Sequence, residues 1–181
     1  MEKIVLDNGL RILLHPIDGA RSASVGVWGA AGSRHEDEQE QGISHFIEHM
    51  LFKGTARRSA RDISEEMDRL GGNINAYTSK EYTRYYAQCL AENAAGALDI
   101  LCDMLVSPRL DRDEMERERG VILDEMAMYE DSGEDVAHET LCAAVWPDSP
   151  LGRTICGRTE TVSTLSPDNL RRYMHRHYTP E

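Results

Sequence analysis

Several features are missing from this 181-residue sequence. No stretch approaches the roughly 20 consecutive apolar residues that crossing a bilayer requires. The opening "MEKIVLDNGLRILLHP" has no basic segment followed by an apolar one, so it reads as strand rather than as a secretory signal. Basic residues are scarce, 20 Lys and Arg against 32 Asp and Glu for a net charge of −12. A nucleic-acid binder needs a basic stripe, which argues against that class. The four cysteines, Cys89, Cys102, Cys142 and Cys156, form no C-x-x-C pair. They read as free, mostly buried thiols of a reducing cytoplasm rather than as a disulfide framework. Internal repeats and low-complexity tracts are absent too. What remains, 40% hydrophobic and 29% charged residues, is the composition of one globular domain spanning residues 1–181, too short for two sizeable cores. The acidity could steer basic substrates toward the protein, but solubility is the plainer reading of it.

Along the chain, "EKIVLD" and "LRILLHP" flank an Asn8-Gly9 hairpin signal, and "SASVGVWGAAGS" alternates as a third strand. The charged "RHEDEQEQG" reads as an exposed loop before a helix over Gly42–Phe52. A second helix opens at Ser59 and stops at Gly71-Gly72. "NINAYTS" and "YTRYYAQCL" alternate as two more strands; helical patterns then cover Asn93–Leu105, Asp113–Met128, Asp135–Val145 and the Ser166-Pro167 start of "SPDNLRRYMHRHY". Segregated strand and helix runs predict an α+β fold, a largely antiparallel sheet with helices on one face. The closing "HYTPE" turns as if another strand should follow, which predicts a fragment.

The densest chemistry lies in "GISHFIEHMLF", Gly42–Phe52. On a helix, residues three and four apart share a face, so His45, Glu48 and His49 project together from an otherwise apolar run. Two histidines one turn apart can bind one Zn²⁺. Catalytic zinc sites use three protein ligands and leave a position for water, whose pKa the metal lowers toward ~7. Glu48 then serves as general base toward that water. The order H-x-x-E-H is the inverted form of the H-E-x-x-H motif. A solvated helix stripe is the competing reading, and the apolar flank argues against it. For the third ligand, "RDEMERERGVILDEMAMYED" offers Glu118, Asp124 and Glu125, of which Glu118 and Glu125 are seven apart on one helix face. Spacing does not choose between them.

These motifs together resemble the N-terminal, zinc-bearing half of the pitrilysin-type (M16) metallopeptidases, in their processing-peptidase-like bacterial branch. The resemblance runs through "VLDNGLRILLHP", "GISHFIEHMLFKGT", "LGGNINAYTSKEYTRYYA", "ERGVILDEMAMYED", "PLGRTICG" and "HYTPE". It implies zinc-dependent endoproteolysis of peptides or unfolded polypeptide segments, with one Zn²⁺ per chain. The family's third ligand stands 76 positions beyond the second histidine, which falls on Glu125. Its helper carboxylate seven residues earlier falls on Glu118, with a role in supporting the zinc region. "NINAYTS" matches the edge strand to which an extended substrate adds by backbone pairing, with Asn75 and Ala76 beside the scissile bond. From the residues alone, Asn75 is a polar strand position.

In that family a second half, in the same chain or in a partner subunit, closes over the substrate and grips it. The resemblance therefore implies such a partner, while an unpaired sheet edge implies self-association. No membrane or nucleic-acid partner is expected. The alternative is a non-catalytic structural or substrate-presenting subunit, but such relatives usually lose zinc residues that this sequence keeps. The remaining histidines, His15, His35, His138, His175 and His177, read as ordinary polar positions. Tyr77, Tyr82, Tyr85 and Tyr86 read as strand packing, with Tyr85 as a cleft candidate.

Overall fold

In the computed structural model, which describes residues 1–180, β1 (Glu2–Val5) and β2 (Arg11–Leu14) pair around the expected Asn8-Gly9 turn. Glu181, the last residue of "HYTPE", lies outside the described residues. The expected single sheet is instead two sheets among these residues. The first hairpin stands apart, and β3 (Ser22–Gly29), β4 (Asn73–Thr78) and β5 (Thr83–Leu90) form an antiparallel sheet in the order β3-β5-β4. Alternation marks a segment as strand but does not say which strand it pairs with, and the Pro16–Gly19 stretch lets the hairpin turn away. Val5, Leu13 and Ile17 of the hairpin are left exposed.

In the three-stranded sheet the pleat sends Tyr85, Ala87 and Cys89 inward on β5, and Arg84, Tyr86 and Gln88 outward. On β4 the inward set is Ile74, Ala76 and Thr78, while Asn73, Asn75 and Tyr77 face out. Helices cover only the inward face. These are α1 (Ile43–Leu51), α2 (Ala60–Arg69), α3 (Ala94–Val106), α4 (Arg112–Asp131) and α5 (Gly133–Val145), with the short α6 (Thr159–Val162) and α7 (Pro167–His177) after them. Their bounds lie within three residues of the sequence expectations. α6 fell in none of the helices anticipated, since four residues are too few to show a period. Among the described residues, no helix is long and apolar enough to cross a membrane.

α1 is buried nearly all round. Ile43, Phe46, Ile47, Met50 and Leu51 are fully enclosed, and the Ser44 hydroxyl bonds the Tyr173 hydroxyl of α7 at 2.9 Å. Its remaining face meets α4, which turns Met115, Glu118, Ile122 and Met126 inward at helical spacing. Asp111 caps α4, its carboxylate accepting from the N–H groups of Asp113 and Glu114.

The segment leaving α1 is tied to α3 through Asp103, 5% exposed. Its carboxylate accepts from the Thr55 hydroxyl at 2.7 Å, Arg57 Nε at 2.9 Å and Arg58 at 2.7 Å. Asp103→Ala would leave the Thr55 hydroxyl and the Arg58 guanidinium short of an acceptor. Urea unfolding is expected to show a loss of about 3 kcal/mol, the low side of the range for broken buried pairs because Arg57 reaches solvent. A loss below about 1 kcal/mol would mean that the network does not anchor this end of α1.

Candidate metal centre

α1 aims His45 and His49 at α4, where Glu125 meets them. Glu125 Oε2 lies 3.7 Å from His45 Nε2 and 3.4 Å from His49 Nε2. The ligand-type atoms of His45, His49 and Glu125 all fall within 4.8 Å of one another. These separations exceed good hydrogen bonds. The His49–Glu125 separation matches the edge of a tetrahedron around zinc, about 3.3 Å for bonds of about 2.0–2.1 Å, and the His45–Glu125 separation is somewhat wider. The two rings meet edge to face with centroids 4.7 Å apart. Burial and the neighbouring His49 ring hold the His45 imidazole well below its ordinary pKa. His45 is therefore neutral near pH 7, and its approach to Glu125 is not an ion pair; neutral imidazole is the form that ligates metals.

Two of the three ligand-type groups, Glu125 and His49, are aimed by a neighbour on the far side. Glu125 Oε1 accepts from the Tyr129 hydroxyl at 3.1 Å, which leaves Oε2 toward the histidines. Glu118 lies behind His49, its Oε2 3.2 Å from Nδ1. With Nδ1–H donating to that carboxylate, the lone pair of His49 falls on Nε2, facing Glu125. Glu118 is only 7% exposed, and its other oxygen pairs with Lys53 Nζ. His45 lacks the equivalent support: its Nδ1 is buried without a hydrogen-bond partner among the described residues. The two acids that spacing could not separate thus stand in different places, Glu125 among the ligand-type atoms and Glu118 one ring away.

Glu48 opens onto the same cleft, a cavity of about 490 Å³ that His45, Glu125, Ala76 and Tyr129 also line. Its Oε2 accepts a hydrogen bond from the Thr78 hydroxyl of β4. Burial raises the Glu48 pKa, opposed mainly by the Thr78 hydrogen bond and by His49. A carboxylate raised toward neutrality is suited to taking a proton. The cleft wall is acidic: Glu130, Asp135 and Glu139 line it beside Lys80, whose ammonium is held by Glu139 at 3.4 Å and the Arg153 carbonyl at 2.9 Å.

β4 is the open edge beside this cleft. Ser79 N–H donates to the Tyr82 carbonyl at 2.8 Å, which sets the alternation of the ladder. With Ala76 opposite Tyr85 and Thr78 opposite Thr83, that alternation turns the backbone groups of Ala76 and Thr78 to the free edge. Ala76 lines the cleft. Asn75 does not: its side chain leaves the outward face and bends to the edge, where Oδ1 accepts from the Ala76 N–H at 2.8 Å.

Other expectations need correction. Tyr85 lies in the core, 1% exposed and bonded to the Tyr178 hydroxyl at 3.1 Å, while Tyr77 lines the cleft. His138 also lines the cleft, so it is not the isolated polar position the sequence implied. Of the four free thiols only Cys89 and Cys142 are buried; Cys102 is exposed and Cys156 lines the cleft. "RHEDEQEQG" is not a wholly exposed loop, since Glu36 and Gln41 are buried. Thr78, Tyr129, Lys53 and Glu36 escaped the sequence reading. Only Thr78 had a usable signal: in "NINAYTS" it shares the face of Ala76, two residues earlier.

The profile of the insulinase family (peptidase family M16) matches residues 11–159 of this chain. An uncharacterized zinc protease of Bacillus subtilis, YmxG, is 46% identical over 181 residues, which cover 100% of this chain and 44% of that protein. A probable mitochondrial-processing peptidase subunit beta of Arabidopsis thaliana is 44% identical over 174 residues, 96% of this chain and 33% of that protein. Among solved structures, a protease from Helicobacter pylori superposes with a TM-score of 0.88 at 25% identity, covering 99% of this chain and 44% of that one. The chain thus spans less than half the length of these relatives.

Proposed function

The chain belongs to peptidase family M16, and on that premise we propose that it carries the zinc-binding and proton-transferring residues of an endopeptidase acting on peptides or unfolded polypeptide segments. The observation that carries the reading is the convergence of two imidazole nitrogens and one carboxylate oxygen on a single point, with a second carboxylate in the same cleft. His45, His49 and Glu125 hold the metal, one ion per chain. Zinc, when bound there, supplies Lewis acidity, lowering the pKa of water and polarising a carbonyl. Glu48 takes the proton from the attacking water and passes it to the leaving amine, its carboxylate held in place by Thr78. Glu118 fixes the tautomer of His49, and Tyr129 turns Glu125. An extended substrate adds to the free edge of β4, where the backbone of Ala76 offers a donor and an acceptor. Binding there requires Asn75 Oδ1 to leave the Ala76 N–H, after which the Asn75 amide can bond the substrate backbone beside the scissile bond.

Because the chain spans 44% of YmxG, we infer that the working peptidase has a second half, in the same polypeptide or in a partner, that closes the cleft. Four unpaired thiols, one of them exposed, suit a reducing compartment such as the cytoplasm; recovery of the protein in an extracytoplasmic fraction would overturn that placement.

Elemental mass spectrometry of the purified chain, beside His49→Ala, tests the centre. About one zinc per chain, lost in His49→Ala, is expected. A folded chain without zinc, or one whose zinc survives the substitution, would overturn the assignment.

A further inference from the structure

The helix that carries His45, Glu48 and His49 begins without a cap of its own. Its N-cap is Gly42, in the left-handed region at φ +90°, and no side chain there accepts from the first turn. A Cβ at Gly42 would lie 2.4 Å from the Cys156 carbonyl oxygen, and one at Gly157 would lie 2.4 Å from the Gln41 carbonyl oxygen. The two strands of backbone are packed too closely for Ser, Thr, Asp or Asn, the usual capping residues, to stand at position 42.

The acceptor comes from six residues upstream. Glu36 Oε2 accepts from the Gly42 N–H at 2.8 Å, and Oε1 accepts from the Ser44 N–H at 2.9 Å. Both oxygens of one planar group are thus committed to N–H donors two residues apart at the start of the helix, which otherwise lack partners. Glu36 is itself fixed: it is 4% exposed, and its backbone carbonyl accepts from the Arg153 guanidinium at 3.0 Å. That guanidinium and the helix N-terminus are the positive groups near it, and Tyr173, Tyr178 and Cys156 are titratable groups in its surroundings.

We propose that Glu36 is a positioning residue of the metal centre, setting where α1 begins and so the direction in which His45, Glu48 and His49 leave it. His45 follows Ser44 directly, and each residue of slip turns a helix face by about 100°. A small displacement of the first turn would therefore move His45 Nε2 out of line with Glu125, and no hydrogen bond at Nδ1 restrains that ring. Burial pushes the Glu36 carboxyl up to about 7, and the hydrogen bonds from the Ser44 and Gly42 N–H groups oppose that rise. With both oxygens of one planar carboxylate bonded to N–H groups two residues apart, the acceptor fixes the direction of the first turn as well as satisfying its donors.

This inference rests on the zinc reading above. The test is competition titration of the purified chain with Zn²⁺ against a chromophoric chelator, alongside hydrogen exchange of the α1 amides. Glu36→Ala is expected to bind zinc about 10–100-fold more weakly, as for other groups that orient ligands, with faster exchange at Ser44, His45 and Phe46. Glu36→Gln keeps the size and one acceptor oxygen, and is expected to lose affinity severalfold. Ser59→Ala, which removes the side-chain cap of α2, is expected to lose stability and keep wild-type affinity. Wild-type zinc affinity in a folded Glu36→Ala would overturn the inference. If Glu36→Ala does not fold, Glu36→Gln decides by the same criterion. A wild-type chain that binds no zinc, or binds it equally after His49→Ala, would overturn the proposed function and this inference with it. Tight wild-type binding that is lost in His49→Ala but indifferent to Glu36 would overturn the inference alone.

Discussion

Once a second half is supplied, Glu48→Gln is expected to lower kcat/KM for peptide hydrolysis by about 10²–10⁴-fold, the contribution of a positioned general base, while zinc stays at about one per chain. Glutamine keeps the volume of Glu48 and an oxygen that can still accept from the Thr78 hydroxyl, so the contact between α1 and β4 survives. What it removes is the capacity to take a proton. The separation of the two readouts is the informative part. Zinc lost together with activity would place Glu48 among the ligands, and the base would then have to be sought elsewhere in the cleft. Zinc retained with hydrolysis unchanged would remove Glu48 from the chemistry. A zinc-binding module without hydrolysis gives a third pattern, bound metal with no cleavage even in the wild type. Thr78→Val should follow Glu48→Gln in direction with a smaller effect, because it leaves the carboxylate in place without its hydrogen-bond donor.

The helix of the candidate metal centre was legible because its chemistry is local. Three polar groups within five residues of an apolar run need a common reason, and helical periodicity alone puts His45, Glu48 and His49 on one side. From the residues alone the candidate third ligand was legible only up to a choice, and it was the family resemblance that pointed to Glu125. Glu118 and Glu125 do share a face of α4, but a seven-residue spacing says nothing of how far each stands from a neighbouring helix. In the fold, Glu125 reaches the Nε2 atoms while Glu118 stops at His49 Nδ1, a distinction made by the way α1 crosses α4.

Groups that act across the fold left no local trace. Glu36 sits in a run of charged residues that reads as solvated loop, and only the approach of Gly157 to Gly42 makes its carboxylate the cap of α1. The same limit applied to the sheet. Alternation and the Asn8-Gly9 turn identified five strands and the β1-β2 hairpin, yet nothing in them said that this hairpin would stand apart from the β3-β5-β4 sheet. For Asn75 and Ala76 the period of two put neighbours on opposite faces, and the structure adds that the Asn75 amide curls back to the edge.

The largest effect on metal binding is expected from Glu125→Ala, and its comparison with Glu118→Ala settles the choice that spacing left open. Zinc-finger sites bind with about 10–16 kcal/mol over four ligands, or about 2.5–4 kcal/mol per ligand. Loss of Glu125 should therefore weaken zinc by about 10²–10³-fold. Glu118→Ala leaves all three ligand atoms and removes the acceptor that holds the His49 ring, so about 10–100-fold is expected. Because those ranges touch, a second readout is needed. With Co²⁺ in place of Zn²⁺, Glu125→Ala should change the visible spectrum, since a coordinating oxygen is gone, whereas Glu118→Ala should keep the wild-type bands at weaker affinity. Glu118→Gln adds a check, because an amide oxygen can still accept from His49 Nδ1–H and should restore most of the affinity. The reverse pattern, an altered spectrum in Glu118→Ala and an unaltered one in Glu125→Ala, would make Glu118 the ligand. It would also mean that α4 meets α1 with a different part of its face than the one Met115, Ile122 and Met126 bury.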